Sequence, residues 1–204
     1  MDRGGLFRKL IYNKNLIEKR KMIRAMACIC VILFPLYAMG QSAKYRTSAG
    51  HIYFMSEAPL EKIEAHNHQV AAIFDAGSRA LAYKVIMKSF EFEKAAMEDH
   101  FNRNYLHSDT YPNATFEGSL TEGSVIDLQK DGEYPVEVEG KLSIHGVSKE
   151  IRAKGVLVVL GKSIRTKSVF RILLSDYKVR IPSNYINNIS KEIEINVDCL
   201  LELR

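Results

Sequence analysis

The sequence predicts a mainly-β protein, an antiparallel eight-stranded β-barrel with one short helix between strands, on three observations. After residue 43, apolar and polar residues alternate at period two. Turn signals punctuate that alternation at short intervals, and one stretch alone switches to helical spacing.

The clearest strand places Val136, Val138, Gly140, Leu142 and Ile144 on one face and Glu137, Glu139, Lys141 and Ser143 on the other. The last strand repeats the pattern, with Ile193, Ile195, Val197, Cys199 and Leu201 against Glu192, Glu194, Asn196 and Asp198, so Cys199 reads as an inward core residue rather than a reactive thiol. Further strands fall near 45–56, 66–75, 80–88, 114–121, 150–160 and 164–174, between turns such as Ala76-Gly77-Ser78, Asp131-Gly132, His145-Gly146 and Gly161-Lys162. Between the third and fourth strands, Glu93 to Phe101 is rich in helix formers, with Met97, His100, Phe101 and Tyr105 at helical spacing. Many antiparallel strands, each with one wet face, need a shared interior and no exposed edges, and closing the sheet supplies both. A barrel of eight strands is either filled by its own side chains or hollow enough for one small ligand, as in lipocalins. Small residues among the inward positions, read as Ala72, Ala82, Gly140 and Ala153, lean toward a ligand.

With 47% hydrophobic and 26% charged residues in 204, the chain has the composition of one globular domain with a modest extension. The extension is N-terminal: Lys19, Arg20, Lys21 and Arg24 precede an uncharged apolar run from Ala25 to Tyr37, followed by the small residues Ala38, Gly40, Ser42 and Ala43. That order is expected of an export signal within a leader of residues 1–43, cleaved after Gly40 or Ala43 and started from Met1 or Met22. The apolar run is short of the roughly 20 residues of a permanent span, so no stable membrane span is expected after cleavage. The leader holds 8 of the 29 Lys and Arg and 2 of the 24 Asp and Glu, leaving 21 against 22. The mature domain, residues 44–204, is therefore near neutral, and the absence of a basic face argues against nucleic acid. Cleavage also removes Cys28 and Cys30, leaving Cys199 without a disulfide partner in its chain.

Catalytic signatures are weak. The stretch from Gly155 to Gly161-Lys162-Ser163 has the wrong spacing for a phosphate loop, and no serine sits in G-x-S-x-G. His66 and His68, at i and i+2, share a strand face, but two imidazoles alone do not make a metal site, so no metal is assigned. The sequons at Asn113 and Asn188 receive no role. His100 on the apolar side of the helix reads more readily as a core histidine than as a ligand contact. His145 before Gly146 reads as structural, its imidazole bonding local backbone.

Several segments carry a resemblance: Lys88-Ser89-Phe90-Glu91-Phe92, His100-Phe101-Asn102, Tyr111-Pro112-Asn113-Ala114-Thr115-Phe116, Ser175-Asp176-Tyr177, and above all the block from Gly140 to Glu150, GKLSIHGVSKE. In them the chain resembles the YceI-like proteins over most of residues 44–204. The resemblance implies a lipocalin-like barrel enclosing a polyisoprenoid or related long-chain lipid, such as an isoprenoid quinone, in a periplasmic or secreted bacterial protein without catalytic activity or cofactor. The mature domain is compact beside longer members, which puts the fit of a full-length polyprenyl chain in question.

The expected lipid contacts are Leu81, Tyr83, Val85, Val138, Leu142 and Val197 on inward strand faces, although alternation leaves the face of the 80–88 strand open. Phe90, Phe92, Met97, His100 and Phe101 are expected to line or close the entrance, with Lys88 meeting a polar or anionic head. The rival readings are a filled barrel acting through its surface in an envelope assembly and, third, an enzyme acting on a hydrophobic substrate. A homodimer is left open.

Overall fold

The computed structural model describes residues 42–204. The predicted leader and its export signal lie outside the described residues, apart from Ser42 and Ala43. The strands are β1 (Lys44–Glu57), β2 (Lys62–Asp75), β3 (Ala80–Ile86), the two-residue β4 (Glu91–Phe92), β5 (Asn113–Leu120), β6 (Gly132–Ile144), β7 (Val147–Leu160), β8 (Ser163–Leu173) and β9 (Glu192–Leu203). Helix α1 (Ala95–His100) continues into a π-helical turn, Phe101–Tyr105.

All strand pairs are antiparallel, in the order β1-β9-β8-β7-β6-β5-β3-β2, and β1 pairs with β2 to close the barrel; β4 adds to β2 beyond it. The eight expected strands thus form the expected barrel, with boundaries that move by a few residues. The second strand starts at Lys62 rather than near 66, because Lys62 to His66 pair with the end of β1. The strand read from Val136 starts at Gly132 despite Pro135, which the sheet tolerates because β6 there pairs only with β7, joining β5 from Val138 onward.

The two ends of the barrel differ. At one end, Phe74, Leu157, Val159, Ile164 and Leu201 are almost completely buried, with Tyr45 packed on Phe74 and the loop residues Ile126 and Leu128 lying against the core. This base is filled by its own side chains. Cys199 belongs to it: fully buried, its thiol donates to the His51 carbonyl at 3.7 Å, and burial pushes its pKa up to about 12, so it is inert. The other end carries α1 and is hollow.

The GKLSIHGVSKE block is the β6–β7 hairpin. His145 and Gly146 have φ of 50° and 72° between the paired residues Ile144 and Val147, the two positive values that a type I′ turn requires. Tyr111 packs edge-on against His145, and a side chain at Gly146 would strike its ring. His145 Nδ1 faces the Tyr177 carbonyl at 3.1 Å and its Nε2 faces His107 Nδ1 at 2.9 Å. The histidine is structural as expected, but its backbone partner is 32 residues away rather than local. Gly140 pairs with Gly118 across β5, where a Cβ on either residue would collide with the facing backbone. The pair lets the two strands approach closely.

Candidate functional site

Strand alternation, with the pairing that fixes which face of each strand is inner, determines what faces the hollow end. On β3, Leu81, Tyr83 and Val85 point inward; Ala82, expected inward, falls on the outer face with Lys84 because neighbours on a strand cannot share a face. On β6 and β9, Val138, Leu142 and Val197 point inward as the sequence indicates. Together they surround a cavity of about 500 Å³, within the range of small-molecule sites. Its wall is almost entirely carbon. Ala153 on β7 keeps the middle of the wall thin.

One polar bridge crosses the interior. The Tyr83 hydroxyl donates to Thr166 Oγ1 on β8 at 2.7 Å, linking residues on opposite sides of the barrel. Desolvation pushes the Tyr83 pKa far up, so the phenol is a neutral donor already committed to its partner.

At the mouth, Phe90, Phe92 and Phe101 meet around Phe54, whose ring lies 5.3, 5.9 and 5.5 Å from theirs. Phe101 also touches Phe90 and Phe92, at 5.6 and 5.1 Å. Each such pair contributes about 0.5–1.5 kcal/mol beyond area burial. The four rings tie β1, β4 and the helical segment into one cover. Met97 and His100 line its underside, and His100 Nδ1 lies 2.8 Å from Asn104 Nδ2. His100 is exposed at the mouth, not buried as a core histidine.

Lys88 is the expected site residue that does not line the cavity. It sits in the 3-10 turn Met87–Ser89, where Met87 takes the buried position and Lys88 turns out to pair with Asp109 at 2.5 Å. That lysine holds the Asp109 pKa below the usual carboxylate range. The cation at the mouth is Lys94, immediately before α1, 3.7 Å from Glu61, whose other oxygen accepts from Asn188 Nδ2 at 3.3 Å. Phe54, Glu61 and Lys94 were not singled out by the sequence; Phe54 stands on an alternating strand and its inward face alone was a usable signal.

A closed base, an apolar chamber and an aromatic cover define a hollow, lipocalin-like barrel. The chain belongs to the YceI-like domain family, whose pattern matches residues 44–201. Its fold is similar to that of a polyisoprenoid binding domain from Saccharophagus degradans implicated in plant cell wall breakdown, with a TM-score of 0.67 and 14% identity over 80% of this chain and 99% of that one. It is also similar to BcnA of Burkholderia cenocepacia, with a TM-score of 0.61 and 18% identity over 74% and 95% of the two chains. The Campylobacter jejuni YCEI protein follows, with a TM-score of 0.53 and 20% identity over 69% and 84%. Among curated proteins, none matches.

Proposed function

We propose that this protein is an exported carrier or sequestering protein that encloses the tail of a long-chain apolar lipid, polyisoprenoid-like in class, in its barrel. The single observation that carries the reading is the 500 Å³ cavity walled by inward aliphatic and aromatic side chains. Burying an apolar tail there releases roughly 0.8 kcal/mol per CH₂, enough for tight binding with few polar contacts. Kinship with a fold whose Saccharophagus degradans example is a polyisoprenoid binding domain supports the lipid class. The head of the lipid would lie at the mouth beside Lys94, Glu61 and Asn188. Binding rather than turnover suits an interior whose crossing phenol is committed to Thr166.

The test is titration of the delipidated chain with a fluorescent prenyl alcohol. The wild type is expected to take up one probe, and Phe92→Ala combined with Phe101→Ala to weaken retention by about tenfold, as loss of several aromatic pairs implies. Retention unchanged in the double variant contradicts the aromatic cover.

Cleavage after Gly40 fits the domain better than cleavage after Ala43. The Ser42 hydroxyl donates to Asp75 and accepts from the Gly77 N–H at 2.7 Å, and the Ala43 carbonyl accepts from the Ala76 N–H at 2.9 Å. The Ser42 bond, with the Ser78 N–H, lowers the Asp75 pKa to about 2. Removing residues 42 and 43 would leave the β2–β3 turn without these partners. The intact mass of the exported protein is expected to begin at Gln41; a mass beginning at Lys44 contradicts this.

A further inference from the structure

We propose that His51, His66 and His68 form a binding site for one divalent late transition ion, zinc(II) or copper(II), on the outer face of the barrel. The third imidazole, His51, comes from the neighbouring strand β1. One nitrogen from each of the three rings can be chosen so that all lie within 4.8 Å of one another.

Register creates the cluster. The β1–β2 ladder is bulged: between the pairs Gly50–Val70 and Ile52–Asn67, β1 has only His51 where β2 has both His68 and Gln69. Bulges re-aim side chains, and this one brings His68 over His51, with ring centroids 4.3 Å apart and planes 10° from parallel. Asn67, fully buried between the two histidines of β2, anchors the bulge. Its Oδ1 accepts from the Gln69 N–H at 2.9 Å and its Nδ2 donates to the Ile86 carbonyl at 2.8 Å. His66 and His68 are thereby fixed on the outside, away from the lipid cavity.

The hydrogen bonding is already that of a metal site with a proton in the metal's place. His66 Nε2 lies 2.9 Å from Glu64 Oε1 and donates to it, which leaves Nδ1 as the acceptor for His51 Nε2–H at 3.0 Å. A carboxylate on the far nitrogen of a ligating imidazole is the usual outer-shell arrangement, fixing tautomer and ring orientation. An ion about 2.0 Å from both nitrogens in tetrahedral geometry needs them about 3.3 Å apart, so replacing the shared proton moves them by only a few tenths of an ångström. The proton displaced from His51 Nε2 is taken up, through solvent, at His51 Nδ1, so the ring ligates as neutral imidazole and no net proton is lost. Exposed His68 turns about its side-chain torsions to supply the third nitrogen, and water takes the fourth position. Three imidazoles select zinc(II) or copper(II) over magnesium or calcium, which require oxygen ligands. Asp198, the cross-strand partner of His51 on β9, adds negative charge nearby, although it is also engaged by Arg165 at 3.2 Å.

The untagged full chain, stripped with chelator, is to be titrated with zinc chloride by calorimetry, and the metal retained after desalting measured by elemental analysis. One zinc per chain is expected, with His51→Ala and His68→Ala each weakening binding by at least about tenfold, since a direct ligand is worth no less than an outer-shell partner. Both positions are on the surface, and an unchanged far-ultraviolet spectrum establishes that the variants fold. His107→Gln, in the other histidine pair, is expected to bind zinc as the wild type does. No retained zinc, or binding that survives His51→Ala and falls with His107→Gln, overturns the proposal.

Discussion

Ala153→Trp is expected to give a folded barrel that no longer retains lipid. Ala153 stands on the inner face of β7, opposite Val138 in the β6–β7 ladder, and contributes only a methyl to the cavity wall. An indole there enters empty volume rather than a packed core, so the overpacking penalty of a filled interior is avoided. Each CH₂ it displaces from the ligand costs binding about 0.8 kcal/mol, and two suffice for about a tenfold loss. Ala82→Trp is the matched control. Its position on the outer face of β3 predicts unchanged retention of the prenyl probe. Equal loss in both variants would mean that the cavity is not the binding site.

Leu201→Ala is expected to destabilise the barrel strongly while leaving its hollow end intact. Leu201 is 0% exposed at the filled base, opposite Ile164, itself 0% exposed, in the β8–β9 ladder. With its surroundings fully packed, the vacated volume cannot collapse, and the loss is about 3 kcal/mol. For a domain of this size that lowers the thermal midpoint by about 6–12 °C in a melt followed by circular dichroism. Probe binding at the hollow end, measured well below both transitions, is expected to remain. A shift of about a degree would mean that the base is not close-packed.

These two substitutions mark the division between what alternation discloses and what it leaves hidden. The inward faces of β6 and β9 were legible because each strand is wet on one side and dry on the other, so Val138, Leu142 and Val197 could be assigned from their neighbours alone. The strand containing Leu81, Ala82 and Tyr83 has apolar residues on both faces, and only pairing with β2 and β5 settles which ones point inward. The helix was legible from its change of period. Its aromatic partner Phe54 was not, because forty-seven positions of chain separate it from Phe101 and only barrel closure brings them together. Lys88 failed for a similar reason. Its charge suggested a head-group contact, but the turn at Met87–Ser89 directs it to Asp109. His51 joins His66 and His68 through the β1–β2 register and one bulge, neither of which a single sequence displays.

The motif that carries the family resemblance is tightly constrained by backbone geometry. Gly140 admits the close approach of β5, His145 and Gly146 supply the two positive φ values of the hairpin, and Tyr111 occupies the space that a larger residue at 146 would need. Each is tied to backbone geometry, not to the ligand. Within the same block, Leu142 and Ile144 line the cavity, so the segment carries both the barrel corner and part of the apolar wall.

The most direct test of lipid carriage is native mass spectrometry of the wild-type protein, purified gently from the cells that make it, followed by organic extraction of any bound species. One apolar, isoprenoid-type lipid per chain, absent from Ala153→Trp, is the predicted result. Bare protein from repeated gentle preparations would contradict it and favour a barrel that acts through its surface.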